Sequence, residues 1–190
     1  TRHVGEKFMN YLPLFIETSG KKCLIVGGGK VASRKLIPIL KADMIVELIS
    51  PEIHEDIINF TKSSKIFTYK KRKFEKKDIS DHFLIIAATN DKKTNSLVSE
   101  LAIEKNILIN MAEDSLSGNT LIPSVVDRAP IKIAISSGAA SPILTRLIKT
   151  KLETVIPYSF SNLAKVMMEF RSKVKDRFSN IKDRRNFWEK

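Results

Sequence analysis

KKCLIVGGGKVASRK, Lys21 to Lys35, decides the fold of this chain. Cys23 to Val26 is an apolar run of strand length, and Gly27, Gly28 and Gly29 follow at once. Val31, Ala32, Leu36, Ile37, Ile39 and Leu40 then recur at helical spacing. The order is strand, glycine turn, helix, and the stretch fits G-x-G-x-x-A. In that pattern Gly27 makes the tight turn, Gly29 lets backbone approach a pyrophosphate, and Ala32 lets the helix lie close to the strand. The helix start offers unpaired N–H groups and the positive end of a dipole, both of which favour an anion. A plain strand-to-helix turn would use the same residues with no ligand, so the flanking elements carry the reading toward a dinucleotide.

Upstream, Thr1 to Asn10 is polar and is expected to fray, and Tyr11 to Ile16 reads as an extended edge piece because Pro13 bars a central strand. Downstream, the first helix is expected over Lys30 to Lys41, with Pro38 bending or shortening its last turn. Met44 to Ile49 is a second strand closed by Ser50-Pro51-Glu52, Ile53 to Thr61 a helix, Ile66 to Tyr69 a short strand, and Phe74 to Ile79 a basic, turn-rich connection. Phe83 to Ala88 is continuously apolar, as a parallel strand buried on both faces must be. Thr89-Asn90-Asp91 caps a helix with Leu97, Val98, Leu101 and Ala102 inward, and Ile107 to Ile109 is a strand ending at Asn110. Strands alternating with helices imply right-handed crossovers and a parallel sheet, with ligands outside the strands' carboxyl ends. Those ends are Gly27 to Gly29, Ser50 to Glu52, Ala88 to Asn90, and Asn110 to Asp114.

From Leu121 the pattern changes. Leu121 to Val126 and Ile131 to Ser136 are strand-like runs joined by Asp127-Arg128-Ala129-Pro130. Ser141 is a good N-cap for a helix running to Leu152, and Pro157 separates it from a helical tail, Phe160 to about Phe178, striped by Leu163, Val166, Met167, Phe170 and Val174. So short a second half needs a second chain to complete its core.

The net charge is +12. Lys65 to Lys77 holds seven basic residues against Glu75, and residues 160–190 hold nine basic and four acidic residues. Nucleic acid, an anionic surface or an acidic small molecule would answer such charge, as would a plain solvated face. No apolar run approaches the roughly 20 residues of a membrane span, and Tyr11 to Ile16 is too short for a leader, so a cytoplasmic protein without a membrane partner is expected. Cys23 is the only cysteine, which excludes an internal disulfide and a cysteine-cluster metal site and suits a reducing compartment. His3, His54 and His82 lack ligand spacing, so no metal site is expected.

No nucleophile elbow and no paired histidine is present. Glu113 and Asp114, just past Asn110, could accept a proton beside a bound nicotinamide, although Glu113-Asp114-Ser115 also reads as a simple acidic turn. The acid expected about 20 residues after the glycines, to hold ribose hydroxyls, is ambiguous. Glu47 has the count but lies inside a strand, Ser50 holds the strand end, and Glu52 lies just past it, so NAD and NADP are not separated.

LPLFIET, KKCLIVGGGKVASRKLIPIL, FLIIAATND and LIPSVVDRAPIKIAISSGAASPILTRLIKTKLE together resemble one family, the precorrin-2 dehydrogenases, which form the amino-terminal module of siroheme synthases. The likeness runs from about Tyr11 to Pro157, and its most specific part is DRAPIKIAISSGAASPILTRLI. It implies NAD-dependent oxidation of precorrin-2 to sirohydrochlorin, with ferrous iron insertion by the same site in some members. It also implies an α/β architecture: a Rossmann-type parallel sheet domain (residues 1–112), a small α+β dimerisation region (113–150) and a helical C-terminal tail (151–190), in an intertwined homodimer. The fused methyltransferase module is expected to be lacking. By position, Gly27, Gly29, Lys30 and Val31 match the family's dinucleotide turn, Pro51 and Glu52 its second-strand edge, and Thr89 and Asn90 its third contact. A family aspartate used in dehydrogenation falls on Glu113, with Asp114 adjacent, after the asparagine matched by Asn110. Ser137, followed by Gly138, matches a serine lining the tetrapyrrole cleft, and Arg128 is a candidate for substrate carboxylates or for a structural ion pair. A polyacidic substrate gives the basic surface a small-molecule partner and weakens the remaining alternative, a dinucleotide-responsive regulator binding nucleic acid through its basic tail.

Overall fold

The computed structural model describes residues 11–114 and 117–189; the expectation for Thr1 to Asn10, and Ser115 of the acidic turn, lie outside them. Two compact units divide between Ile122 and Pro123.

The first unit holds five parallel strands: β1 (Lys22–Val26), β2 (Ile45–Ile49), β3 (Phe67–Lys70), β4 (Leu84–Ala87) and β5 (Leu108–Met111). Their order is β3-β2-β1-β4-β5. Helices α1 (Lys30–Lys41), α2 (Glu55–Ser63) and α3 (Lys92–Glu104) are the crossovers, with a single turn of 3-10 helix at Lys76–Asp78. Alternate residues along each strand feed opposite faces. Cys23, Ile25, Val46, Leu48, Leu84 and Ile86 pack with Ala32, Leu36 and Ile39 of α1 and Ile57 of α2. Leu24, Val26, Ile85, Ala87 and Ile109 pack with Val98 and Ala102 of α3. Leu24, Ile25, Leu48, Ile85 and Ile86 are fully buried, each contributing about 1.5–3 kcal/mol relative to exposure. Burial on both faces is why β1 and β4 read as unbroken apolar runs.

Several boundaries differ from the sequence reading. Among the described residues Tyr11 to Ile16 pairs with no strand; it runs outside the sheet with Leu12, Leu14 and Phe15 exposed. The β5 edge is closed by the chain after it. Asn119 accepts from the Ile109 N–H (2.7 Å) and donates to the Ile107 carbonyl (3.0 Å), standing in for a strand. Pro38 does not shorten α1, which continues to Lys41. Pro38 and Arg34 lie on the exposed face, where the carbonyl left without its helical donor reaches water. Strand β5 runs through Asn110 to Met111, so Asn110 sits inside the strand.

The second unit opens with an antiparallel hairpin, β6 (Ser124–Arg128) and β7 (Ile131–Ile135). Helix α4 (Pro142–Val155) follows, with the Ser141 hydroxyl accepting from the Leu144 N–H (3.2 Å). Helix α5 spans Ser159–Arg177, and a further helix, α6 (Ile181–Glu189), lies beyond the expected end of the tail. Its cap is legible afterwards: Asn180 accepts from the Asp183 N–H (2.8 Å), as an N-cap does. The unit buries little by itself. Ile143, Leu147, Val155, Tyr158 and Leu163 are all more than half exposed, and of the expected α5 stripe only Val174 is buried.

Arg128 is buried and spends its guanidinium on backbone. Nε donates to the Ile156 carbonyl (2.8 Å), Nη2 to that of Glu153 (3.2 Å) and Nη1 to that of Asp127 (3.0 Å), and the cation lies 4.2 Å from the Tyr158 ring centre. It therefore holds the negative end of α4, and its hydrogen-bonding partners are carbonyls, neither an ion-paired carboxylate nor an open cavity. Arg128→Ala is expected to destabilise the protein by about 3 kcal/mol in urea unfolding, by orphaning these carbonyls and removing the ring contact.

Candidate active site

Strand order places the site. The sheet reverses its winding between β1 and β4, and the crevice outside their carboxyl ends is where such a sheet takes a ligand. A cleft of about 660 Å³ opens there, lined by Gly27, Gly28, Gly29, Ser50, Pro51, Glu52, Ile53, His54, Lys73, Phe74, Thr89, Asn90, Asp91 and Thr94 among others. Members of three expected contact groups, Gly27 to Gly29 after β1, Ser50 to Glu52 after β2 and Thr89-Asn90 after β4, thus line one cleft.

Each glycine of the turn has its own reason. Gly27 has φ +113°, and a Cβ there would fall on the Ala88 carbonyl. Gly28 faces the β2–α2 loop: a Cβ would strike the Glu52 carbonyl and come within 2.9 Å of the Ser50 hydroxyl. The His54 N–H donates to the Gly28 carbonyl (2.7 Å), tying the two loops together. At Gly29 a Cβ would meet nothing within 4 Å. Gly29 is also the N-cap of α1, and neither a capping side chain nor a first-turn acid satisfies the N–H groups there. An open, uncapped helix start beside a 660 Å³ cleft fits a dinucleotide pyrophosphate. Lys30 and Val31 begin the helix, are exposed, and stand outside the cleft lining.

At the end of β2 the two acids differ in their surroundings. Glu47 lies within the strand and pairs with Lys70 on β3 (2.9 Å), whereas Glu52 lines the cleft. Tyr69 donates its hydroxyl to the Ser50 carbonyl (3.1 Å), holding this edge; burial raises the Tyr69 pKa, with the Glu52 carboxylate adding to it. At the end of β4, buried Asn95 accepts from the Thr89 hydroxyl (2.7 Å) and donates to the Thr89 carbonyl (2.8 Å). Asp91 caps α3, accepting from the Lys93 N–H (3.0 Å) and the Thr94 hydroxyl (2.6 Å), which holds its carboxyl below the usual range.

Asn110 is buried, donating Nδ2 to the Thr120 carbonyl (2.9 Å), while its Oδ1 has no partner among the described residues. The Ala112 N–H donates to the Ala87 carbonyl (3.0 Å), so Glu113 and Asp114 leave the sheet at the end that carries Thr89. Both are exposed and neither lines the cleft; Asp114 accepts a hydrogen bond from the Ser117 hydroxyl. In the second unit the Ser137 hydroxyl accepts from the Ser141 N–H (3.0 Å), and Gly138 takes φ +61°. Cys23 is buried in the core, which pushes its thiol up to about 12 and leaves it no nucleophilic role. No group of metal-ligating side chains occurs among the described residues, and none of their helices is long and apolar enough to cross a membrane.

Sequence reasoning missed His54, Lys73 and Phe74. His54 caps α2 through its ring, accepting from the Asp56 N–H (3.3 Å), and its place just past β2 was the available signal. Lys73 and Phe74 follow β3, the one strand end left out of the list of ligand-binding ends.

Residues 14–124 match the family model described as "Putative NAD(P)-binding", and residues 159–190 match that of the sirohaem synthase dimerisation region. The latter falls on α5 and α6. A siroheme synthase of Ruthia magnifica subsp. Calyptogena magnifica is 44% identical over 96% of this chain and 38% of its own length. One from Nitrosococcus oceani is 40% identical over 96% of this chain and 39% of its own length. The chain thus spans about two fifths of the curated relatives it matches. The solved structure of SirC, a precorrin-2 dehydrogenase, superposes with a TM-score of 0.77 at 26% identity, covering 94% of this chain and 87% of that one. By the first of these matches, which spans more than half of its length, the chain belongs to the putative NAD(P)-binding family.

Proposed function

We propose that the protein oxidises precorrin-2 to sirohydrochlorin with NAD. The observation that carries this reading is the likeness to a precorrin-2 dehydrogenase over 94% of the chain, joined to a cleft whose glycine turn and uncapped helix suit a dinucleotide. When bound, NAD supplies the hydride acceptor. The N–H groups at the start of α1 face its pyrophosphate, and Glu52, free of the pairing that occupies Glu47, accepts ribose hydroxyls; a carboxylate at that edge favours NAD over a 2′-phosphate. Thr89 and Asn90 position the nicotinamide end. Glu113 or Asp114 takes the proton released as hydride leaves the tetrapyrrole, and Asn110, Ser137 and Gly138 are the further proposed substrate contacts. The substrate's carboxylates give the basic surface its partner. The exposed apolar residues of α4 and α5 support a homodimer. Purified protein mixed with precorrin-2 and NAD is expected to form NADH and sirohydrochlorin in equal amounts. Absence of NADH at any enzyme concentration overturns the reading. Ferrous iron with sirohydrochlorin, in place of NAD and precorrin-2, reads out iron insertion separately.

A further inference from the structure

The wall of the cleft after β3 is not announced by the glycine fingerprint, and it is built with unusual economy. Asp78, its side chain only 4% exposed, accepts Arg72 Nη1 (2.8 Å), Arg72 Nη2 (2.5 Å) and the Glu75 N–H (2.8 Å). Arg72 Nη1 also donates to the Lys73 carbonyl (3.0 Å). The Arg72 guanidinium holds the Asp78 carboxyl below its usual range, so the pair is an ion pair at neutral pH. It closes a loop of a few residues, and the two residues inside it that reach the cleft are Lys73 and Phe74. Phe74 leans on the core beneath α3, which anchors its ring, and Lys73 has no ion pair among the described residues. The strand order puts this loop on the β2 side of the glycine turn, beyond Glu52. A dinucleotide with its pyrophosphate on that turn and a ribose at Glu52 extends its base toward β3.

We propose that Phe74 and Lys73 are cofactor-binding residues for the adenosine half, Phe74 stacking on the purine and Lys73 facing its phosphate, with Arg72 and Asp78 as the positioning pair. This rests on the reading that the cofactor is NAD. An aromatic face serves a purine without demanding a particular hydrogen-bond edge, and an unpaired ammonium is a point charge suited to phosphate. The Arg72–Asp78 pair removes the entropy of ordering the loop before the ligand arrives.

The test titrates the full chain with NAD, AMP and nicotinamide mononucleotide by calorimetry. Phe74→Leu is expected to weaken NAD and AMP about tenfold while nicotinamide mononucleotide is unchanged, and Phe74→Tyr to restore both. Lys73→Met is expected to weaken AMP about threefold and flatten its salt dependence, with Lys73→Arg restoring it. Asp78→Asn, shown folded by circular dichroism, is expected to weaken AMP and spare the mononucleotide, a split that general loosening would not produce. Wild-type affinity for NAD and AMP in Phe74→Leu and Lys73→Met overturns this inference alone. Equal losses for AMP and the mononucleotide overturn it too. A wild-type chain that binds no dinucleotide overturns the cofactor reading and this inference with it.

Discussion

Gly27→Ala is expected to cost on the order of 4 kcal/mol, a large share of a domain's typical total, and to leave little folded protein. Two effects add. The new Cβ meets the Ala88 backbone carbonyl, which cannot swing aside as a side-chain tip would, and φ +113° is a conformation that L residues rarely adopt. Gly29→Ala is the informative partner. Its Cβ enters open space and its φ is −76°, so the fold survives. The methyl nevertheless stands where a pyrophosphate would approach the start of α1, and NAD affinity is expected to fall at least about tenfold. Urea unfolding and calorimetric titration of the two variants separate turn geometry from ligand contact. A Gly29→Ala variant binding NAD as the wild type does would remove the pyrophosphate from this turn.

The second large effect concerns the acids after β5. Glu113→Gln combined with Asp114→Asn is expected to lower kcat for NADH formation from precorrin-2 by about 10²–10⁴-fold, with NAD affinity unchanged because neither side chain lines the cofactor cleft. The single variants assign the role. Asp114 already accepts from the Ser117 hydroxyl, whereas Glu113 has no ion pair among the described residues, so the larger loss is expected for Glu113. Full activity in the double variant would show that the proton leaves by another route.

Local chemistry made much of this legible. The run Cys23 to Val26, the glycines and the spacing of Ala32, Leu36 and Ile39 are short-range patterns, and they specify strand, turn and helix within a few residues. The Asp91 and Ser141 caps are equally local. Tyr11 to Ile16 reads as an edge piece from Pro13 alone and joins no sheet, because strand pairing depends on long-range partners that a local pattern does not encode; Asn119, which closes β5 from ten residues downstream, is a second such long-range contact. Arg128 could not be assigned either, since its partners in α4 and just past it lie 25 and 28 residues away.

By itself, then, the sequence determined a parallel α/β sheet with an anion-suited turn and a second half too thin to bury its own apolar faces. The tertiary structure decided which acid faces the cleft, that the Arg128 guanidinium is spent on backbone carbonyls, and that the loop after β3 forms a wall of the cleft. The reason is the strand order β3-β2-β1-β4-β5: it sets residues near 28, 52, 73 and 90 side by side, an adjacency that periodicity along the chain does not encode.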